Sequence, residues 1–263
     1  MPKLDTRGIL AAAEIAFYAP ITAITLFLIF RYAFRRDAGW FFLFIFSIIL
    51  GRIAEGALSV SAESITPPKP VLFNAAYIID YSALAALLLS SLGFIGMAGQ
   101  HTYGENPRVS VILRIIGIVG LAGLGLCIAG GVLGGEAAGN HDVATALRRA
   151  GICLYAGIYV MLFAVHIGTW TYRWHLRSYR RSLLSGISLA FPFLGIRMAY
   201  AVIAAWSSSD LLGRELSPNP TLAKLNPVTG NWILYLVLSL IMEYVVVALY
   251  LFSSTILARK HHY

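Results

Sequence analysis

Charged side chains stand inside the long apolar stretches of this chain: Glu14, Arg52 with Glu55 three residues on, Asp80, Arg197 followed by Tyr200, and Glu243, with Arg148 and Arg149 at the edge of another. An ionisable group held out of water is costly, and it persists where it pairs, lines a cavity or moves a proton. A buried acid with no cation beside it can donate its proton, and a neighbouring arginine positions or tunes such an acid. Glu243, in LSLIMEYVVV, has only apolar neighbours and Tyr244 along its own segment, so its counter-charge must come from elsewhere. Arg197, in FPFLGIRMAY, is the expected partner. Glu243 and Asp80 are the candidate catalytic acids, Arg52 and Arg197 their positioning groups, and Tyr200 a candidate for stabilising charge. Glu14, Glu55 and Arg148 complete the candidate pocket.

The elements that must carry these residues are set by composition. The 263 residues are 59% hydrophobic and only 12% charged, with a mean hydropathy of +0.76, far too apolar for a domain solvated by water. Seven stretches reach the length of about 20 residues that a helix needs to cross the hydrocarbon: 8–30, 40–60, 71–97, 109–133, 147–171, 183–206 and 231–257. None alternates as a barrel strand would. The expectation is an all-α, seven-transmembrane-helix bundle in a single domain over 1–263, with no separate soluble domain. Trp40, Trp170, Trp174, Trp206 and Trp232 fall at or near span ends, where an amphipathic ring prefers the headgroup zone.

Lys and Arg in short loops set orientation. Arg31, Arg35, Arg36, Arg108, Arg173, Arg177, Arg180, Arg181, Arg259 and Lys260 fall on one side, against Lys3, Arg7, Lys69, Arg214 and Lys224 on the other, with Arg148 and Arg149 if they lie outside span five. The N-terminus is expected outside or lumenal and the C-terminus cytosolic, in the endoplasmic reticulum or plasma membrane. The net charge of +8 fits anchoring to anionic headgroups, and no basic patch with interleaved aromatics forms a nucleic-acid module. The first span is too long, and too acidic at Glu14, for a signal peptide, so it is expected to be retained.

At ~1.5 Å per residue, the buried charges fall in one layer toward the outer end of the bundle. Two readings compete for it: interhelical ion pairs that hold register, with Arg52 and Glu55 also satisfying each other locally, and a polar cavity opening on the outer side. Pro192 is expected to kink span six beside the layer, and the Ser207–Gly230 connection, with three prolines, to cap an opening between helices. Gly130 with Gly134 and Gly131 with Gly135 would let another helix approach span four closely. Cys127 and Cys153 are read as packing residues. His166 and His175 lack metal-pair spacing, no G-x-S-x-G occurs, and Lys3, Lys69, Lys224 and Lys260 all lie outside the spans. No metal, cofactor, serine-hydrolase or retinal chemistry is implied.

Three segments, 14–56, PFLGIRMAYAVIAAW and NPVTGNWILYLVLSLIMEYVVVALYLF, resemble the fungal seven-span integral-membrane proteins of unassigned function. The resemblance implies a seven-helix fold in a fungal membrane and no established reaction. Its matching positions are Glu14, Arg52, Arg197, Asn231 and Glu243, which adds Asn231 to the pocket candidates. Fungal membrane-bound terpenoid cyclases are similar in size and in their use of buried acids, but their motifs are absent, so that comparison is analogy. The functional expectation is a pocket in the bilayer that binds a lipophilic small molecule, lipid or terpenoid, or converts it by acid chemistry. A receptor-like signalling protein and a small-molecule transporter are the alternatives.

Overall fold

The computed structural model describes residues 6–33, 39–65, 70–99, 107–134, 141–176, 178–209, 213 and 215–259. Lys3, Arg35, Arg36, Lys69, Gly135, Arg177, Arg214, Lys260, His261 and His262, and the side chains of Arg31, Trp40, His175 and Arg259, lie outside what is described. The long helices are α1 (Thr6–Ala33), α2 (Gly39–Ser64), α3 (Pro70–Ala98), α4 (Pro107–Leu133), α5 (His141–Thr171) and α6 (Ser178–Ala205). After the short α7 (Pro220–Lys224), the seventh span is built from α8 (Trp232–Tyr235), a π-helical stretch (Leu236–Ile241) and α9 (Met242–Arg259). Among the described residues the extended structure is limited to one isolated bridge, Ser208 with Leu216.

Seven helices are long and apolar enough to cross a membrane, and their outward faces carry Phe17, Phe27, Ile118, Val160 and Phe252, all well exposed. Large apolar side chains pointing away from the core are what a hydrocarbon solvent accepts, while every helix satisfies its own backbone. The chain is an integral, multi-pass membrane protein. Helix α5 begins six residues before the expected span at 147, because HDVATA continues the helical register from the Asp142 end. Arg148 and Arg149 thus sit inside α5, in its second and third turns. Helix α6 runs through Pro192 as one element.

Helix α3 is the central staff. It packs against α2, α4, α5 and α6, and 67% of its most apolar window is buried. Around it α1 lies on α2, α4 on α5, α5 on α6 and α6 on α9, and edge-on contacts of Phe17 and Tyr18 with Tyr244 close α1 onto α9. Isoleucines and leucines such as Ile45, Ile48, Ile49, Leu84 and Leu87, with Phe94 and Tyr250, fill the core.

Small residues set the α4–α5 distance. A Cβ on Gly130 would lie 2.8 Å from the Ala144 carbonyl oxygen and 2.8 Å from the Arg148 nitrogen, so only glycine permits this approach. Gly131 faces Ile78 of α3 instead. Gly130→Val should therefore force the helices apart and cost roughly 1–3 kcal/mol, seen as a lower melting temperature in detergent. Gly125→Ala, on the same helix with nothing within 4 Å of its added carbon, should leave melting unchanged or slightly raise it.

Candidate functional site

Helical spacing delivers the charges. On α2, Arg52, Glu55, Ser59 and Glu63 follow one another at three- and four-residue steps and share a face. Arg7, Ala11 and Glu14 do the same on α1, and Phe73, Tyr77 and Asp80 on α3. Helix α6 contributes Arg197 and Tyr200, and the seventh span contributes Tyr235 and Glu243. In a regular α-helix Tyr235 and Glu243, eight residues apart, would point about 80° away from each other. The π stretch between them absorbs an extra residue per turn and brings both toward α2.

There the side chains meet in a buried ionic layer. Arg52, wholly buried, grips Glu243 with two donors, Nε to Oε1 at 2.6 Å and Nη2 to Oε2. Its Nη1 donates to Glu55 Oε2 at 2.6 Å and stands 3.5 Å from Glu14 Oε1, while Nη2 also lies 2.8 Å from Asp80 Oδ1. Arg197 joins from α6, donating from Nη2 to Asp80 Oδ1 at 2.8 Å and from Nε to Glu243 Oε2 at 3.2 Å. Four carboxylates and two guanidiniums thus knit α1, α2, α3, α6 and α9. The expected pairing of Glu243 with Arg197 is present, but Arg52 is its closer and bidentate partner.

The acids differ in what remains for chemistry. Glu243 and Asp80, the candidate catalytic acids, each touch both guanidiniums. Glu14 Oε1, by contrast, accepts no hydrogen bond, and Arg52 Nη1, its nearest cation, already serves Glu55. Glu14 and Glu55 line a cavity of about 440 Å³ that runs down from the bundle end where α1 and α3 begin and α2 finishes. Its walls include Arg7, Ser59, Glu63, Phe73, Tyr77 and Tyr235, with Pro227 and Val228 of the long connection across its mouth. That connection, expected to cap an opening between helices, contributes these two residues to the cavity lining. Arg7 holds it in place, donating to the carbonyls of Pro227 and, at 3.0 Å, of Gly230. Asn226, buried inside the connection, accepts from the backbone N–H groups of Val228 and Thr229 and donates to Ser207 Oγ.

Three expected pocket residues stand elsewhere or act otherwise. Arg148 donates to the Ser208 carbonyl at 3.0 Å, and Arg149 donates to the Ala205 carbonyl while lying over the Trp206 ring. Both belong to α5, which faces α4 and α6, so they cap the C-terminal end of α6. Asn231 is exposed and accepts from the Ile233 N–H as the N-cap of α8. Tyr200 is buried near the layer, its ring 6.5 Å from that of Tyr235, and its hydroxyl has no hydrogen-bond partner. Sequence reading overlooked Tyr235, whose hydroxyl points to Glu55 Oε1 at 3.4 Å, and the cavity residues Arg7, Ser59, Glu63 and Tyr77. The polar periodicity of α1 and α2 was the available signal for Arg7, Ser59 and Glu63; Tyr235 needed the π turn.

The fold and site together define a multi-pass membrane protein whose seven helices enclose an ionic layer at the floor of an end-opening cavity. A family profile matches residues 4–260, and the chain belongs to that family, described as a domain of unknown function (DUF7702). No curated protein and no solved structure matches the chain.

Removing one member of a buried pair leaves the other charge uncompensated. Arg52→Leu should cost about 3–5 kcal/mol and abolish a monodisperse peak in detergent. Arg52→Lys should rescue it poorly, because an ammonium cannot reproduce the planar two-point contact with Glu243. Glu14→Gln, which removes the carboxylate least engaged in the layer, should be the mildest of the charge-layer variants in the same melting assay.

Proposed function

We propose that this protein binds a lipophilic small molecule, a lipid or terpenoid, in the cavity, with the ligand's polar end at the ionic layer. The observation that carries the reading is the wall chemistry. Carboxylates of Glu14 and Glu55 form the floor, while Leu10, Ala11, Phe73, Val228 and Leu240 supply apolar sides. A volume of about 440 Å³ falls within the ~300–1,000 Å³ usual for small-molecule pockets. Beneath the layer, Ile45, Ile48, Ile49, Leu84, Leu87 and Leu194 are essentially inaccessible. This plug favours a closed pocket over a transport path.

A second reading, conversion by acid chemistry, is favoured by Glu14, whose Oε1 has no hydrogen bond at the wall of the cavity. Glu14 is then the proton donor, Glu55 and Tyr235 its neighbours, and Glu243 and Asp80 the anions that hold Arg52 and Arg197 in place. The distribution of loop arginines supports an outer or lumenal mouth, and with the resemblance to fungal membrane proteins the proposed setting is the endoplasmic reticulum or plasma membrane of a fungal cell. A C-terminal tag should accordingly be reached by antibody only after the cytosolic side is opened.

The test is mass spectrometry of lipophilic compounds that co-purify in one detergent with the wild type, Ser59→Trp and Glu14→Gln. A specific compound should accompany the wild type and be displaced by the indole that Ser59→Trp places in the cavity. Conversion predicts that Glu14→Gln retains an unconverted precursor. The same lipid background in all three samples would remove the binding reading.

A further inference from the structure

Among the described residues, acids outnumber cations where the cavity meets the ionic layer. The ionic layer holds Glu14, Glu55, Asp80 and Glu243 against Arg52 and Arg197. Glu14 and Glu55 line the cavity, whereas the two acids that touch both guanidiniums are not among its lining residues. Glu14 is 7% exposed, and its Oε1 accepts no hydrogen bond although it lies at the cavity wall. Among the described residues that line the cavity the cation is Arg7, roughly 10 Å along α1 from Glu14 and turned onto the carbonyls of Pro227 and Gly230. Phe73, Tyr77 and Tyr235 add aromatic faces beside these carboxylates.

Carboxylates set among aromatic rings attract a positive charge through both the anions and the ring quadrupoles. A bare metal ion needs several ligands converging on one point, and among the described residues no group of three His, Cys, Asp or Glu side chains has that arrangement. The apolar and aromatic walls suit a larger, softer cation. On the premise that the cavity is a ligand pocket, we infer that its ligand is a cationic amphiphile, an alkylammonium whose charged head rests against Glu14 while its chain follows the apolar wall toward the mouth. The head belongs either to a free amphiphilic amine or to the ammonium of a membrane lipid headgroup.

The experiment uses the full chain in a neutral maltoside detergent and measures the concentration dependence of its melting temperature with four probes of equal chain length: octyltrimethylammonium, octylphosphocholine, octanol and octanoate. Octyltrimethylammonium should stabilise saturably and bind at least about tenfold tighter than octanol, the scale of a desolvated cation–π and ionic contact, and octanoate should be weakest. Glu14→Gln should erase the preference for the cation while leaving the response to octanol. Should that variant fold poorly, Tyr77→Leu, which removes an aromatic wall residue outside the ionic layer, should reduce the same preference. Octylphosphocholine matching octyltrimethylammonium would support the inference with a lipid headgroup as the source; octyltrimethylammonium alone being selected would support it with a free amine. Equal binding of cation and alcohol would overturn the inference and leave the pocket standing. No saturable response to any probe would overturn both.

Discussion

The two-point grip of Arg52 on Glu243 is the contact on which the upper half of the bundle depends. Neither group can stay charged in a hydrocarbon surround without the other, so α2 and α9 must meet at one height and in one rotational setting. Asp80 then lies between Arg52 and Arg197, 2.8 Å from each, which fixes α3 and α6 to the same height. Glu14 brings α1 to the edge of the layer at 3.5 Å from Arg52. Leucine and isoleucine contacts tolerate a helix sliding by part of a turn; a guanidinium sharing hydrogen bonds with several carboxylates does not.

The same layer divides the molecule into two media. On the closed side lies the apolar core, in which some polar groups pair locally, as where Ser91 Oγ meets the Tyr250 hydroxyl at 2.5 Å or His166 Nε2 meets Ser188 Oγ at 2.8 Å. On the other side the helices part into a cavity, and several polar atoms near the layer lack partners, among them Glu14 Oε1 and the hydroxyls of Tyr18 and Tyr200. Buried polar atoms rarely go unpaired. Glu14 Oε1 is such an atom at the cavity wall, and it ties the cavity to the layer. The two readings of the buried charges offered by the sequence, ion pairs or a cavity, describe its two faces.

The π stretch shows how local backbone and tertiary pairing are tied. Without the wider turn from Leu236 to Ile241, either Glu243 would miss Arg52 or Tyr235 would turn from Glu55. Irregular helix is tolerated in a membrane where protein surrounds it and gives the freed groups other partners. Here α6 packs on this stretch.

Length and hydropathy alone fixed the seven spans, since a bilayer demands a set thickness of apolar helix, and depth along those spans put Glu14, Arg52, Glu55, Asp80, Arg197 and Glu243 at one level because rise per residue is constant. Arg148 shows the limit of that argument: it shares the level, yet α5 stands on the far side of α3 and turns it to Ser208. Depth is a property of one helix, whereas position around the bundle depends on which helices are neighbours. Asn231, to which the resemblance points, is a helix cap, a role its short side chain fills through the nearest backbone. Which acid is saturated and which faces the cavity also lay beyond the sequence, because it turns on how carboxylates from four different segments divide the donors of two arginines.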